Sequence, residues 1–131
     1  MILVLDDDIQ RIEHFRRWYG DSVLVWVTTP DEALNQMRVQ SFSAIFFDHD
    51  LGDKRLDFGV IGMARTMERE SLAVDTPIFI HSMNNVGASM LANTLGHSHN
   101  VKVVPFGQML QIFEKQDVMA DETENADDTV Q

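Results

Sequence analysis

Five short apolar runs alternate with stretches of helical periodicity, and this alternation narrows the fold more than any other feature. The runs are Ile2–Leu5, Val23–Val27, Ala44–Phe47, Ile78–Ile80 and Val101–Val104. They are rich in β-branched and aromatic residues and too short for buried helices, as expected of strands covered on both faces. Between and after them, apolar residues recur at helical spacing: Ile9, Ile12, Phe15 and Tyr19; Ala33, Leu34 and Met37; Val60, Met63, Ala64 and Met67; Val86, Met90, Leu91 and Leu95; Met109, Ile112 and Phe113. The pattern predicts five βα units in a doubly wound α/β domain, with a parallel sheet and helices on both faces. Gly20 and Gly96 read as helix stops. Thr29, Pro30 and Glu32 read as N-cap, first helical residue and capping-box partner. Asn84 or Asn85 reads as the cap of the fourth helix. A polar loop is expected from Asp48 to about Gly59, before the third helix.

The chain has 131 residues and a formal charge of −11. Residues 117–131 carry six acids and no Lys or Arg, which leaves −5 for residues 1–116. We therefore expect one domain over 1–116 and an acidic, disordered tail over 117–131. An acidic body argues against an extended nucleic-acid surface. There are no cysteines, which excludes thiolate chemistry and is compatible with a reducing compartment. No secretion signal and no membrane-length apolar run is read, so a cytoplasmic location is expected.

Chemistry gathers at three predicted strand ends: Asp6-Asp7-Asp8, Asp48-His49-Asp50 and His81-Ser82-Met83-Asn84-Asn85. In open α/β sheets, ligands bind beyond the carboxyl ends of the strands. Adjacent like charges are costly without a partner, so Asp6, Asp7 and Asp48 are expected to share a metal or surround a cationic group. Hard cations such as Mg²⁺ or Mn²⁺ suit carboxylate oxygens. Asp8 is expected to cap the first helix, and Asp50 either joins the pocket or orders the loop around Gly52. His81 is either a satisfied core residue or, with His49, one of two imidazoles serving as general acid and base. Ser82, Asn84 and Asn85 offer neutral hydrogen bonds to phosphate oxygens or a base edge. His97 and His99 fall at the opposite sheet edge, and His14 lies on the first helix at the surface or partly packed.

These residues resemble the response-regulator receiver domain over about residues 1–116. Asp6 and Asp7 match its acidic pair, and Asp48 its phospho-accepting Asp within Asp48-His49-Asp50-Leu51-Gly52, followed by Asp57-Phe58-Gly59. Ser82 matches its hydroxyl residue and Pro105-Phe106 its proline–aromatic pair. The resemblance implies a flavodoxin-like strand order 2-1-3-4-5. Receivers carry a Lys just before that Pro; here the residue is Val104, and Lys102 lies about 6–7 Å farther back along the strand. Asp48-His49-Asp50-Leu51 and His81-Ser82-Met83-Asn84 look like motifs of a divergent branch, the cyclic-phosphate processing receiver domain. That resemblance implies action on cyclic phosphates of nucleotides or RNA ends, and together with the carboxylates and histidines above it makes a metal-dependent phosphoesterase the leading expectation. Its catalytic residues would be His49, His81 and Asp48, its metal ligands Asp6, Asp7 and Asp48, and its substrate contacts Ser82, Asn84 and Asn85. The alternatives are a non-catalytic module holding a nucleotide or protein partner, and a phosphoacceptor domain using Asp48.

Overall fold

Each predicted strand forms within a residue of its expected bounds. The computed structural model describes residues 1–48, 54–81 and 85–113, with residues 54–58 and 85–86 as backbone alone. The strands are β1 (Ile2–Leu5), β2 (Leu24–Val27), β3 (Ala44–Phe47), β4 (Ile78–Ile80) and β5 (Val101–Val103). The helices are α1 (Ile9–Tyr19), α2 (Pro30–Val39), α3 (Lys54–Glu70), α4 (Asn85–Leu95) and a final helix, α5, over 106–113. All strand pairs are parallel, in the order β2-β1-β3-β4-β5. This is the receiver-like arrangement expected from the sequence. No helix among the described residues is long and apolar enough to cross a membrane.

Strand alternation divides the core in two. Leu3, Leu5, Ile45, Phe47, Ile78 and Ile80 face α2, α3 and α4, where Leu34, Met63, Met67 and Leu91 meet them. Ile2, Val4 and Phe46 face the other way, against Ile12 and Phe15 of α1 and Phe106 and Met109 of α5. Both faces are covered, which is why all four residues of β1 are buried and why the strands read as continuous apolar runs.

Local signals act largely as expected. Asp8 caps α1, its Oδ1 accepting the Gln10 N–H at 2.8 Å. Gly20 ends that helix with a positive φ of 86° that a side chain would resist. Thr29 Oγ1 accepts the Glu32 N–H and donates to Glu32 Oε1 at 3.0 Å.

The expected loop to Gly59 is a correction: α3 begins at Lys54. Gly59 is helical and does not end a loop. A Cβ on it would meet Pro30 Cγ at 3.3 Å, so the glycine permits a close approach between α2 and α3. Such a contact is tertiary and leaves no local mark in the sequence.

Candidate functional site

The backbone ladder runs one residue beyond the strands and fixes four positions at one level. The N–H groups of Asp6, Asp48, His81 and Val104 donate to the carbonyls of Val27, Leu5, Phe47 and Ile80 at 3.1, 2.9, 2.9 and 2.8 Å. Asp6 and Asp48 each follow by two residues a strand position, Val4 or Phe46, that packs toward α1 and α5; His81 follows Phe79 in the same way. Their side chains therefore emerge on that same side, under the start of α1. Asp6, Asp48 and His81 are all buried.

Asp6 is the hub of the site. Its Oδ1 accepts the Asp8 N–H and Arg11 Nη2, each at 2.9 Å. Its Oδ2 accepts Arg11 Nε at 2.8 Å and faces His81 Nε2 at 2.7 Å. A carboxylate offers about four acceptor positions, and all of them are used. Trp26 Nε1 also donates to the Asp6 carbonyl, at 2.6 Å. Burial opposes ionisation of Asp6, but the bonds from His81 and Arg11 outweigh it and hold its pKa at about 2.

Arg11 joins the carboxylates. Besides its two-point grip on Asp6, Nη2 donates to Asp48 Oδ2 at 2.8 Å, and Nη1 lies 3.4 Å from Asp8 Oδ2. The bond to Asp6 is the main reason its pKa is raised above the usual arginine value. Sequence reasoning missed this residue, although a signal was there. Arg11 sits in the first turn of α1, where the helix dipole disfavours a cation. Helical side chains lean toward the N-terminus, which carries the guanidinium back over the strand ends.

His81 is buried, with its ring 5.4 Å from that of Phe15 between centroids. Asp6 is ionised, so the proton in their contact belongs to Nε2. Nδ1 is buried, with no hydrogen-bond partner among the described residues. A second proton there would be an unsatisfied buried donor, so the ring is neutral, and burial lowers its pKa.

The chain belongs to the cyclic-phosphate processing receiver domain family. The family's model matches residues 1–97. No curated protein and no solved structure matches the chain.

Within this cyclic-phosphate processing receiver domain, Asp6, Asp7 and Asp48 each offer an oxygen within 4.8 Å of the others. Three carboxylate oxygens at that spacing suit a hard divalent cation, so the donor set fits the ion that receiver-type acidic clusters hold. Asp7 is exposed, and partial burial together with the charge of Asp6 raises its pKa. Beside the carboxylates opens a cavity of about 330 Å³ lined by Asp8, Gln10, Arg11, His14, Phe106 and Gly107. A second cavity, of about 190 Å³ and lined by Tyr19, Phe46, Phe79 and Val104 among others, presents no carboxylate or imidazole.

Val104 stands level with His81, where receivers present their lysine, and Lys102 is exposed with no ion pair among the described residues. His99 bonds the Leu72 carbonyl at 2.7 Å and Ser98 Oγ, a structural role at the opposite edge, as expected. His14 meets Arg17 Nη2 through Nδ1 at 2.8 Å and packs near Phe106. His49, Asp50, Ser82 and Asn84 lie outside the described residues, and Asn85 opens α4 with only its backbone described.

Proposed function

We propose that this receiver domain hydrolyses a cyclic phosphate ester, of a nucleotide or an RNA end, at the edge where Asp6, Asp48 and His81 meet. The observation that carries the reading is the buried Asp6–His81 pair. The carboxylate keeps a proton on Nε2 and leaves the Nδ1 lone pair as a base, the logic by which a buried acid orients a catalytic imidazole. Nδ1 is buried at rest, so this reading requires that bound substrate bring the attacking water to it; His81 then accepts that water's proton as the new O–P bond forms. His49 returns a proton to the ester oxygen as the ring P–O bond breaks. Ser82, Asn84 and Asn85 orient the phosphate oxygens. Asp6, Asp7 and Asp48 would hold Mg²⁺ or Mn²⁺, which when bound there neutralises phosphate charge or acidifies a bound water. The setting is a reducing, cytoplasmic one, and the partner is a small nucleotide or RNA terminus.

A second reading is a non-catalytic module that holds a nucleotide or a protein partner. It is favoured by the saturation of Asp6, which has four hydrogen bonds on its carboxylate. A phosphoacceptor role for Asp48 ranks below both, because Val104 cannot pair a phosphoryl group as a lysine would. The deciding experiment is a turnover screen against 2′,3′-cyclic and 3′,5′-cyclic nucleotides and cyclic oligonucleotides, with and without Mg²⁺ or Mn²⁺. Hydrolysis lost in His49→Ala supports the first reading. Tight binding without turnover transfers the case to the second.

A further inference from the structure

We propose that Arg11 is the resident cation of the acidic site and that a divalent ion enters only by unseating it. The inference does not depend on which ester is processed, or on whether one is. Its basis is the occupancy of acceptor positions. Arg11 Nη2 lies between Asp6 Oδ1 and Asp48 Oδ2, at 2.9 and 2.8 Å. An ion bridging those two oxygens would approach each to about 2.0–2.2 Å. It would then stand against a guanidinium nitrogen in the same gap, where contact and like charge both forbid it. Asp6 has no other free position, since its remaining bonds go to Asp8 N–H, Arg11 Nε and His81. One guanidinium thus occupies an oxygen on each of two of the three carboxylates that offer a cation site, and the Asp6 carboxylate has no vacant position beside it.

Arg11 also has somewhere to go. It lines the cavity of about 330 Å³ shared with Asp8, Gln10, His14, Phe106 and Gly107. Its Nη1 already leans toward Asp8 Oδ2, at 3.4 Å, and its side chain is 21% exposed against 0% for Asp6 and 2% for Asp48. Swinging toward Asp8 would keep one ion pair while releasing Asp6 Oδ1 and Asp48 Oδ2 from the guanidinium. Arg11 is a positioning residue in this account: it holds the carboxylates in place without metal and yields them to it. The cation at the strand ends is supplied from α1, with Val104 where receivers carry lysine.

The test is Mn²⁺ binding by the full chain, followed by electron paramagnetic resonance and calorimetry. Arg11→Gln should bind Mn²⁺ about tenfold or more tightly than wild type, because several charge-assisted hydrogen bonds no longer compete. Arg11→Lys should fall between them, having the charge without the planar fork. Equal or weaker binding by Arg11→Gln overturns the proposal, as does binding by neither protein. A second readout uses wild type alone. The Arg11 Nε–H, bonded to a buried carboxylate, should give a resolved, slowly exchanging amide-type resonance that saturating Mg²⁺ removes or shifts. Persistence of that resonance unchanged with Mg²⁺ bound overturns the proposal too. Should Arg11→Gln fail to fold, Arg11→Lys and the wild-type spectrum decide in the same terms.

Discussion

Replacing His81 separates its hydrogen bond from its packing. His81→Phe keeps a ring among Phe15 and Phe106 but removes the donor to Asp6, which retains three others. A hydrogen bond to a charged group contributes about 1.5–3 kcal/mol, so a loss of about 2 kcal/mol is expected. His81→Ala removes the ring as well, and large-to-small core changes cost about 2–5 kcal/mol. The combined loss is a large share of the ~5–15 kcal/mol that stabilises a typical domain. Urea denaturation at pH 7.5, with unchanged m-values, measures both. The pH dependence gives a sharper check. Burial holds the His81 pKa below its ordinary 6.5, so the unfolded chain takes up this proton first. Stability is then fully present above pH 6.5 and falls as pH drops toward the folded pKa. Between pH 7.5 and 5.5 wild type should therefore lose stability through this group. His81→Phe should lack this component. If wild type and His81→Phe lose stability in parallel over that range, or if His81→Phe costs under about 0.5 kcal/mol, the buried neutral imidazole is not what holds Asp6.

Asp6 governs a lower window. Its pKa falls from 3.8 to about 2 on folding, so its contribution of about 2 kcal/mol is present above pH 3.8 and lost as pH falls through about 2. Asp6→Asn should flatten the acid limb of the stability curve between pH 4 and 2, and an unchanged limb would refute the assignment. Asp7 has the opposite sign. Its raised pKa means that ionisation at neutral pH destabilises the fold, so Asp7→Asn should raise the melting temperature at pH 7 and have no such effect near pH 3. Thr29→Ala removes the cap of α2 and should cost about 1 kcal/mol in urea denaturation.

The fold was legible because its signals are local. Each strand is a run of β-formers, and Asp8, Gly20 and Thr29 mark helix ends within a few residues of where they act. The start of α3 was not legible, since Gly59 owes its place to Pro30 across a helix packing contact. The carboxylates of Asp6, Asp7 and Asp48 were found from their position after apolar runs, and the structure brings them together. Arg11 was missed because its partners lie five and 37 positions away, and in sequence it is one more charged residue of an amphipathic helix. His81 stood between a core and a site role. The structure gives it features of both, packed among aromatic rings yet bonded to the hub of the acidic cluster.

Charge at this edge limits any chemistry done there. Among the described residues, Asp6, Asp7, Asp8 and Asp48 face the Arg11 guanidinium, and His81 is neutral. A phosphate ester is itself an anion, and in a partly buried site the repulsion is not screened as it is in water. Receivers meet the same problem with a metal and a lysine. Here Val104 removes the lysine, and Arg11 is committed to Asp6 and Asp48. On the charges of the described residues, a phosphate at these strand ends is expected to need more positive charge arriving with it. An ion that takes the carboxylates and frees Arg11 changes the local balance by its own two charges and releases a guanidinium whose fork fits phosphate oxygens. Ion and phosphate would then bind with positive coupling, each strengthening the other by the same factor.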